Sequence, residues 1–153
     1  MRSGARTLRF ERRPAPVLPE HRPLYKIGQL LLILQLGSRG GKSSLPRIQL
    51  FNWALKRKER EAILLDATQK GYLKVSAWGF DPAVAIAISY ALAEELIQTT
   101  STGYSISSAG MNFVAAFCKD PDCFSSERLF LEKVGKSITE AMVTQVSRGW
   151  EEQ

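Results

Sequence analysis

Apolar residues recur along this chain at spacings of three and four, with only brief stretches of strict alternation. That pattern predicts a mainly α fold with a small β-hairpin, an α+β single domain. A first helix is expected from Pro23, a good first-turn residue, through Ile27, Leu31 and Leu34 to about Leu36. A buried strand over 30–36 competes with it. Tyr25 to Gln29 continues the helical pattern backwards without a turn signal, which favours helix. Ser44 caps a second helix carrying Ile48, Leu50, Phe51 and Leu55 and closing at Lys56-Arg57-Lys58. Glu59 to Lys70 reads as a third, stopped by Gly71. Tyr72 to Ser76 alternates like a short strand.

Asp81-Pro82 opens a fourth helix whose apolar residues, from Val84 to Ile97, lie nearly all round. A helix of that kind is expected to be buried inside a domain. Glu95 to Ser107 then reads as a helix end leading into a hairpin turned at Gly103, and Ser107 caps a helix to about Phe117. This order, helix, two-stranded wing, helix, predicts a winged helix-turn-helix-like domain. Asp120-Pro121-Asp122 breaks the chain. A last helix is expected from Ser125 or Ser126 to about Val146. Its stripe of Leu131, Val134, Ile138 and Met142 packs on the domain's own core or docks on a partner. The expected organisation is a flexible Arg/Pro-rich tail over 1–22, a winged-helix-like domain over 23–118 and a C-terminal helical segment over 119–153.

Charge changes this picture. The net +6 is distributed as +4 over residues 1–23, +7 over 24–75 and −5 over 76–153. Such segregation points to two different partners, one polyanionic, or to solvated faces that happen to segregate. The cations at the turn and on the second and third helices, Arg39, Lys42, Arg47, Lys56, Arg57 and Lys58, are the candidate DNA- or partner-contact residues. They suit non-specific phosphate contacts, and no side-chain set suggests base reading.

Catalytic chemistry finds little support. Gly37-Ser38-Arg39-Gly40-Gly41-Lys42-Ser43-Ser44 follows an apolar run and ends like a phosphate-binding loop. That loop needs a Gly at position 36, and position 36 is Leu. Asp66 would serve as its magnesium ligand only on a strand, whereas 59–70 reads as a helix. The single His, His21, sits in the tail, so neither a nucleophile–base pair nor a zinc site can be assembled with Cys118 and Cys123. The expectation is no enzyme, no cofactor and no metal. No signal peptide or membrane span is apparent, so a cytoplasmic protein with reduced cysteines is expected.

Three segments carry a resemblance. Arg22 to Ile27 leads into the leucine-rich helix. Ser38 to Arg47 leads into Leu50-Phe51-Asn52-Trp53-Ala54-Leu55. Asp81-Pro82-Ala83 leads into Ala91-Leu92-Ala93-Glu94-Glu95-Leu96-Ile97 and the wing Tyr104 to Gly110. Together, over roughly 22–117, they resemble the small winged-helix middle component of bacterial ABC-three-component systems. That group includes Lamassu-type anti-phage and anti-plasmid (antiviral) defence. The resemblance implies a non-catalytic subunit bridging an SMC/Rad50-like coiled-coil ATPase and an effector nuclease. The alternative is a free-standing winged-helix DNA-binding regulator.

Overall fold

A computed structural model describes residues 23–151, so the expected tail over 1–22 and His21 lie outside the described residues. Within them are seven α-helices and one small sheet. Helix α1 (Pro23–Gln35) ends in a 3-10 turn (Arg39–Gly41) that leads into strand β1 (Lys42–Ser43). Helices α2 (Leu45–Leu55), α3 (Lys58–Lys70) and α4 (Pro82–Ala93) follow. The hairpin β2 (Ile97–Thr99) and β3 (Tyr104–Ile106) leads to α5 (Ser108–Phe117), α6 (Ser125–Val134), a second 3-10 turn (Gly135–Ser137) and α7 (Glu140–Glu151).

The leucine-rich run is helical as far as Gln35, and α1 is the centre of the molecule. Leu31, Leu32 and Leu34 are fully buried, and α1 packs against α2, α4, α5 and α6. One cluster joins Ile48, Leu50 and Phe51 of α2, Leu64 of α3, Val84 and Ile88 of α4, and Leu131 and Val134 of α6. Four of the end signals expected of the helices are in use, whereas α6 starts at Ser125 without a side-chain cap and Lys58 opens α3 instead of closing α2. Ser44, Asp81 and Ser107 accept from the backbone N–H groups of Arg47, Ala83 and Gly110. Each such cap is worth about 1 kcal/mol. Gly71 ends α3 in the left-handed region, at φ 83°.

The sheet is antiparallel and ordered β1-β3-β2, so the hairpin's second strand lies in the middle. Lys42 pairs with Ser105 and Ser43 with Tyr104, while Ile97 pairs with Ile106. Strand β1 is only two residues long, too short to leave an alternating pattern. Conversely, the strand expected at 72–76 does not form: the segment runs as part of the irregular connection between α3 and α4.

Two expectations are corrected by burial. The last helix is broken at Gly135–Ser137, where the chain must pass the end of α1. A Cβ on Gly135 would lie 2.3 Å from the Cα of Gly37, so the two backbones touch where no side chain fits. Leu131, Val134, Ile138 and Met142 are 0–9% exposed and pack in the domain's own core, so they present no partner-facing stripe. Helix α4 is corrected in the opposite sense. Val84, Ala87, Ile88 and Ala91 are buried, but Ile86 and Tyr90 are 53% and 52% exposed.

Candidate functional site

The six candidate cations separate onto different parts of the surface and interior. Arg39 and Lys42 are exposed on either side of the Gly-rich turn. With Lys136, Thr102, Thr139 and Glu140 they line a cleft of ≈ 300 Å³ between the turn, the wing and the start of α7. Lys56 lies at a second depression of ≈ 240 Å³ beside Trp53 and Phe80. Arg57 is exposed at the α2–α3 junction. Lys58, 79% exposed, borders a third hollow of ≈ 350 Å³ between α3 and α6, with Leu65, Leu129 and Lys133. A run that looks continuous in sequence is thus divided by the α2–α3 corner.

Arg47 is the correction among the six. It is 3% exposed, not a surface charge. Its Nε donates to Ile138 O at 2.7 Å, and Nη1 donates to Ser38 Oγ at 2.8 Å and Ser43 Oγ at 3.4 Å. Nη2 donates to Gly135 O at 2.7 Å and to Gly37 O. The guanidinium also lies 4.8 Å over the Phe51 ring. Burial pushes its pKa down to about 10, opposed by the charge of Glu140, so Arg47 remains a cation at neutral pH. A planar fork with donors on three separated nitrogens reaches all five of these oxygens, whereas a lysine offers three donors on a single atom. The residue therefore ties the end of α1, the start of α2 and the α6–α7 turn together.

The Gly-Lys-Ser motif is built differently from a phosphate loop. A phosphate loop joins a strand to a helix, whereas here a helix, a 3-10 turn and a short strand precede α2. Gly40 and Gly41 have φ of 64° and 71°, and they turn the chain into β1. The start of α2 already holds a carboxylate: Glu140 accepts from Ser44 N at 2.9 Å and from Ser44 Oγ at 2.7 Å. Asp66 lies on α3 and pairs with Lys70 at 3.1 Å.

A polar network runs under α1 and α2 to the start of α4. Buried Lys26 donates to Asn52 Oδ1 at 2.6 Å, and Asn52 Nδ2 donates to Asp81 Oδ2 at 3.0 Å. Lys56 pairs with the same carboxylate at 2.8 Å. Partial burial pushes the Asp81 carboxyl up. Hydrogen bonds from Lys56, Asn52 and Ala83 N–H outweigh this and, with the charge of Lys56, hold it well below the usual carboxylate range. The network positions α4 and gathers no nucleophile. Burial pushes the Cys118 and Cys123 thiols up, so neither is an activated thiolate. Among the described residues no three His, Cys, Asp or Glu side chains come together as a metal site, and no helix is long and apolar enough to cross a membrane.

The feature that sequence reasoning missed is the outer face of α4. No residue between Pro82 and Ala93 is charged, and Ile86 and Tyr90 stand one turn apart on the surface. The signal was present as an excess: the helix carries more apolar positions than one buried face can use. No protein-family model, curated protein or solved structure matches this chain.

Proposed function

We infer that this protein is a non-catalytic binding module, a winged-helix-type subunit that docks on a partner protein through α4. The placing of β1 ahead of α2 and of a hairpin after α4, with the strand order β1-β3-β2, supports this reading, and three helices separate β1 from the hairpin where a simple winged helix has two. In that arrangement the helix entering the hairpin is the one that would lie in a DNA groove. Here that helix is α4. The observation that carries the reading is its surface: uncharged from end to end, with Ile86 and Tyr90 half exposed. A DNA-reading helix needs cations or amides toward phosphates and base edges. An apolar and aromatic face is the chemistry of a protein interface.

The resemblance to the middle component of ABC-three-component defence systems names the partners to be tried: an SMC-like coiled-coil ATPase and an effector nuclease. In this reading the ATP site belongs to the ATPase, and the Gly-Lys-Ser turn is a structural element. The free-standing DNA-binding regulator draws only on the cleft with Arg39, Lys42 and Lys136, which lies beside the wing. Co-purification of the chain with an SMC-like coiled-coil ATPase tests the choice. Ile86→Glu with Tyr90→Glu is expected to abolish capture while leaving the melting temperature near wild type. Undiminished capture by this variant would remove the α4 face from the interface. Duplex binding tighter than partner binding would favour the regulator.

A further inference from the structure

The connection between α3 and α4 exposes an aromatic side chain for which the fold has no use. Phe80 is 62% exposed. Gly79, at φ 78°, turns the chain just before it, and nothing stands within 4 Å of where a Gly79 Cβ would be. Phe80 borders the ≈ 240 Å³ pocket whose other walls include Trp53, Lys56, Arg60 and Trp78. The rigid side of this pocket is aromatic. Trp78 is buried and donates from Nε1 to Pro46 O at 3.0 Å. Trp53 is half-buried, with the Arg60 guanidinium 4.7 Å over its ring. Arg60 is itself held by a 3.1 Å bond to Trp53 O. Exposed Arg57 follows Lys56 directly in the chain and precedes α3.

The hydrogen-bonding amides of the wall are already engaged. Gln49 accepts from Asp81 N at 2.9 Å and donates to Asp81 O at 3.3 Å. Asn52 accepts from Lys26 and donates to Asp81. The Asp81 carboxylate in turn holds Lys56, Asn52 and the N–H of Ala83. What the pocket offers a ligand is therefore the ring surface of Phe80 and the charge of Arg60, while Lys56 is paired with the Asp81 carboxylate that also lines it.

We propose that this pocket is a stacking site for one unpaired base of a single-stranded nucleic acid, with Arg57 and Arg60 taking the flanking phosphates. Aromatic faces bind any base by stacking, and neighbouring cations follow the phosphate chain. An extended acidic peptide is disfavoured, because its backbone would find the pocket's amides occupied. The pocket reaches Pro82, one turn before Ile86, so the two readings are separated by variant: Phe80→Ala is expected to lose the oligonucleotide and keep partner capture, and Ile86→Glu with Tyr90→Glu the reverse.

The test is fluorescence anisotropy of the full chain with a labelled thymidine oligonucleotide of about a dozen nucleotides, at several salt concentrations. Binding is expected at low salt, weakening as salt rises. Phe80→Ala is expected to weaken it about tenfold or more, while Phe80→Tyr restores it. Arg57→Ala should lower the salt slope by about one ion. Melting temperatures of all three variants should stay close to wild type, because both residues are exposed. No binding at low salt overturns the proposal, and so does equal binding by Phe80→Ala. Displacement of the oligonucleotide by polyglutamate at equal charge concentration would make this an acidic-protein site and overturn it as well.

Discussion

The Arg47 junction and the outer face of α4 invert the usual arrangement in opposite directions. One buries a charge in the middle of the fold, and the other leaves Ile86 and Tyr90 in water. Both depart from burial rules, yet they carry different information. A buried cation whose donors reach Gly37, Gly135 and Ile138 is explained by the fold itself, because each bond joins two parts of the chain. An exposed apolar helix face stabilises nothing in the free protein, so its explanation lies outside the chain. A buried charge with all its partners accounted for thus argues for architecture. Exposed apolar surface with no such account argues for function.

Breaking the junction should give the largest effect. Arg47→Met removes the donor from several buried oxygens and is expected to destabilise the protein by about 3 kcal/mol or more, read as a lowered urea midpoint. Arg47→Lys should recover only a small part, since one ammonium cannot replace the fork. Near wild-type stability for Arg47→Met would mean that water replaces the guanidinium and that the junction is not a structural tie.

An intermediate effect is expected at Asp81, which caps α4 and pairs with Lys56. Its folded-state pKa lies below the unfolded value of about 4. The carboxylate therefore contributes stability above about pH 4, and that contribution is lost as pH falls further. Asp81→Asn should cost about 1 kcal/mol at neutral pH and flatten the stability curve on the acid side. Parallel acid-denaturation curves for the two proteins would contradict this.

The smallest effect on stability should come from the surface. Ile86→Glu, Tyr90→Glu and Arg39→Glu are each expected to move the unfolding free energy by no more than about 0.5 kcal/mol. A large loss from Ile86→Glu would show that the face is covered within the chain, and the contrast with Arg47 would collapse.

The helices were legible because their signals are local: a cap, a proline, a glycine, a period. Ser44, Asp81, Ser107 and Gly71 all serve where the sequence places them. What was not legible depends on distant parts of the chain. The two-residue β1 has no pattern of its own and exists because β3 lies beside it. Arg47 reads as one more cation in a basic stretch, and only Gly135 and Ile138, 88 and 91 residues later, make it internal. The break between α6 and α7 likewise follows from Gly135 meeting Gly37. Phe80 and the outer residues of α4 went unseen for another reason: periodicity identifies apolar positions but not how many of them a core will use.

The bond between Arg47 and the α6–α7 turn also has a meaning in time. During synthesis α1 and α2 emerge long before residues 135–138, and Glu140, which caps Ser44, comes later still. Until then the guanidinium has no carbonyls from the turn to hold, and the start of α2 lacks its carboxylate. Contacts this distant in sequence form late, after the entropy of closing a long loop has been met. The nascent chain is therefore expected to stay sensitive to protease up to about residue 140 and to become resistant as one unit once that segment clears the ribosome. Ribosome-stalled chains of increasing length would reveal that step, and resistance gained with only α1 to α5 exposed would show that the latch closes an already finished fold.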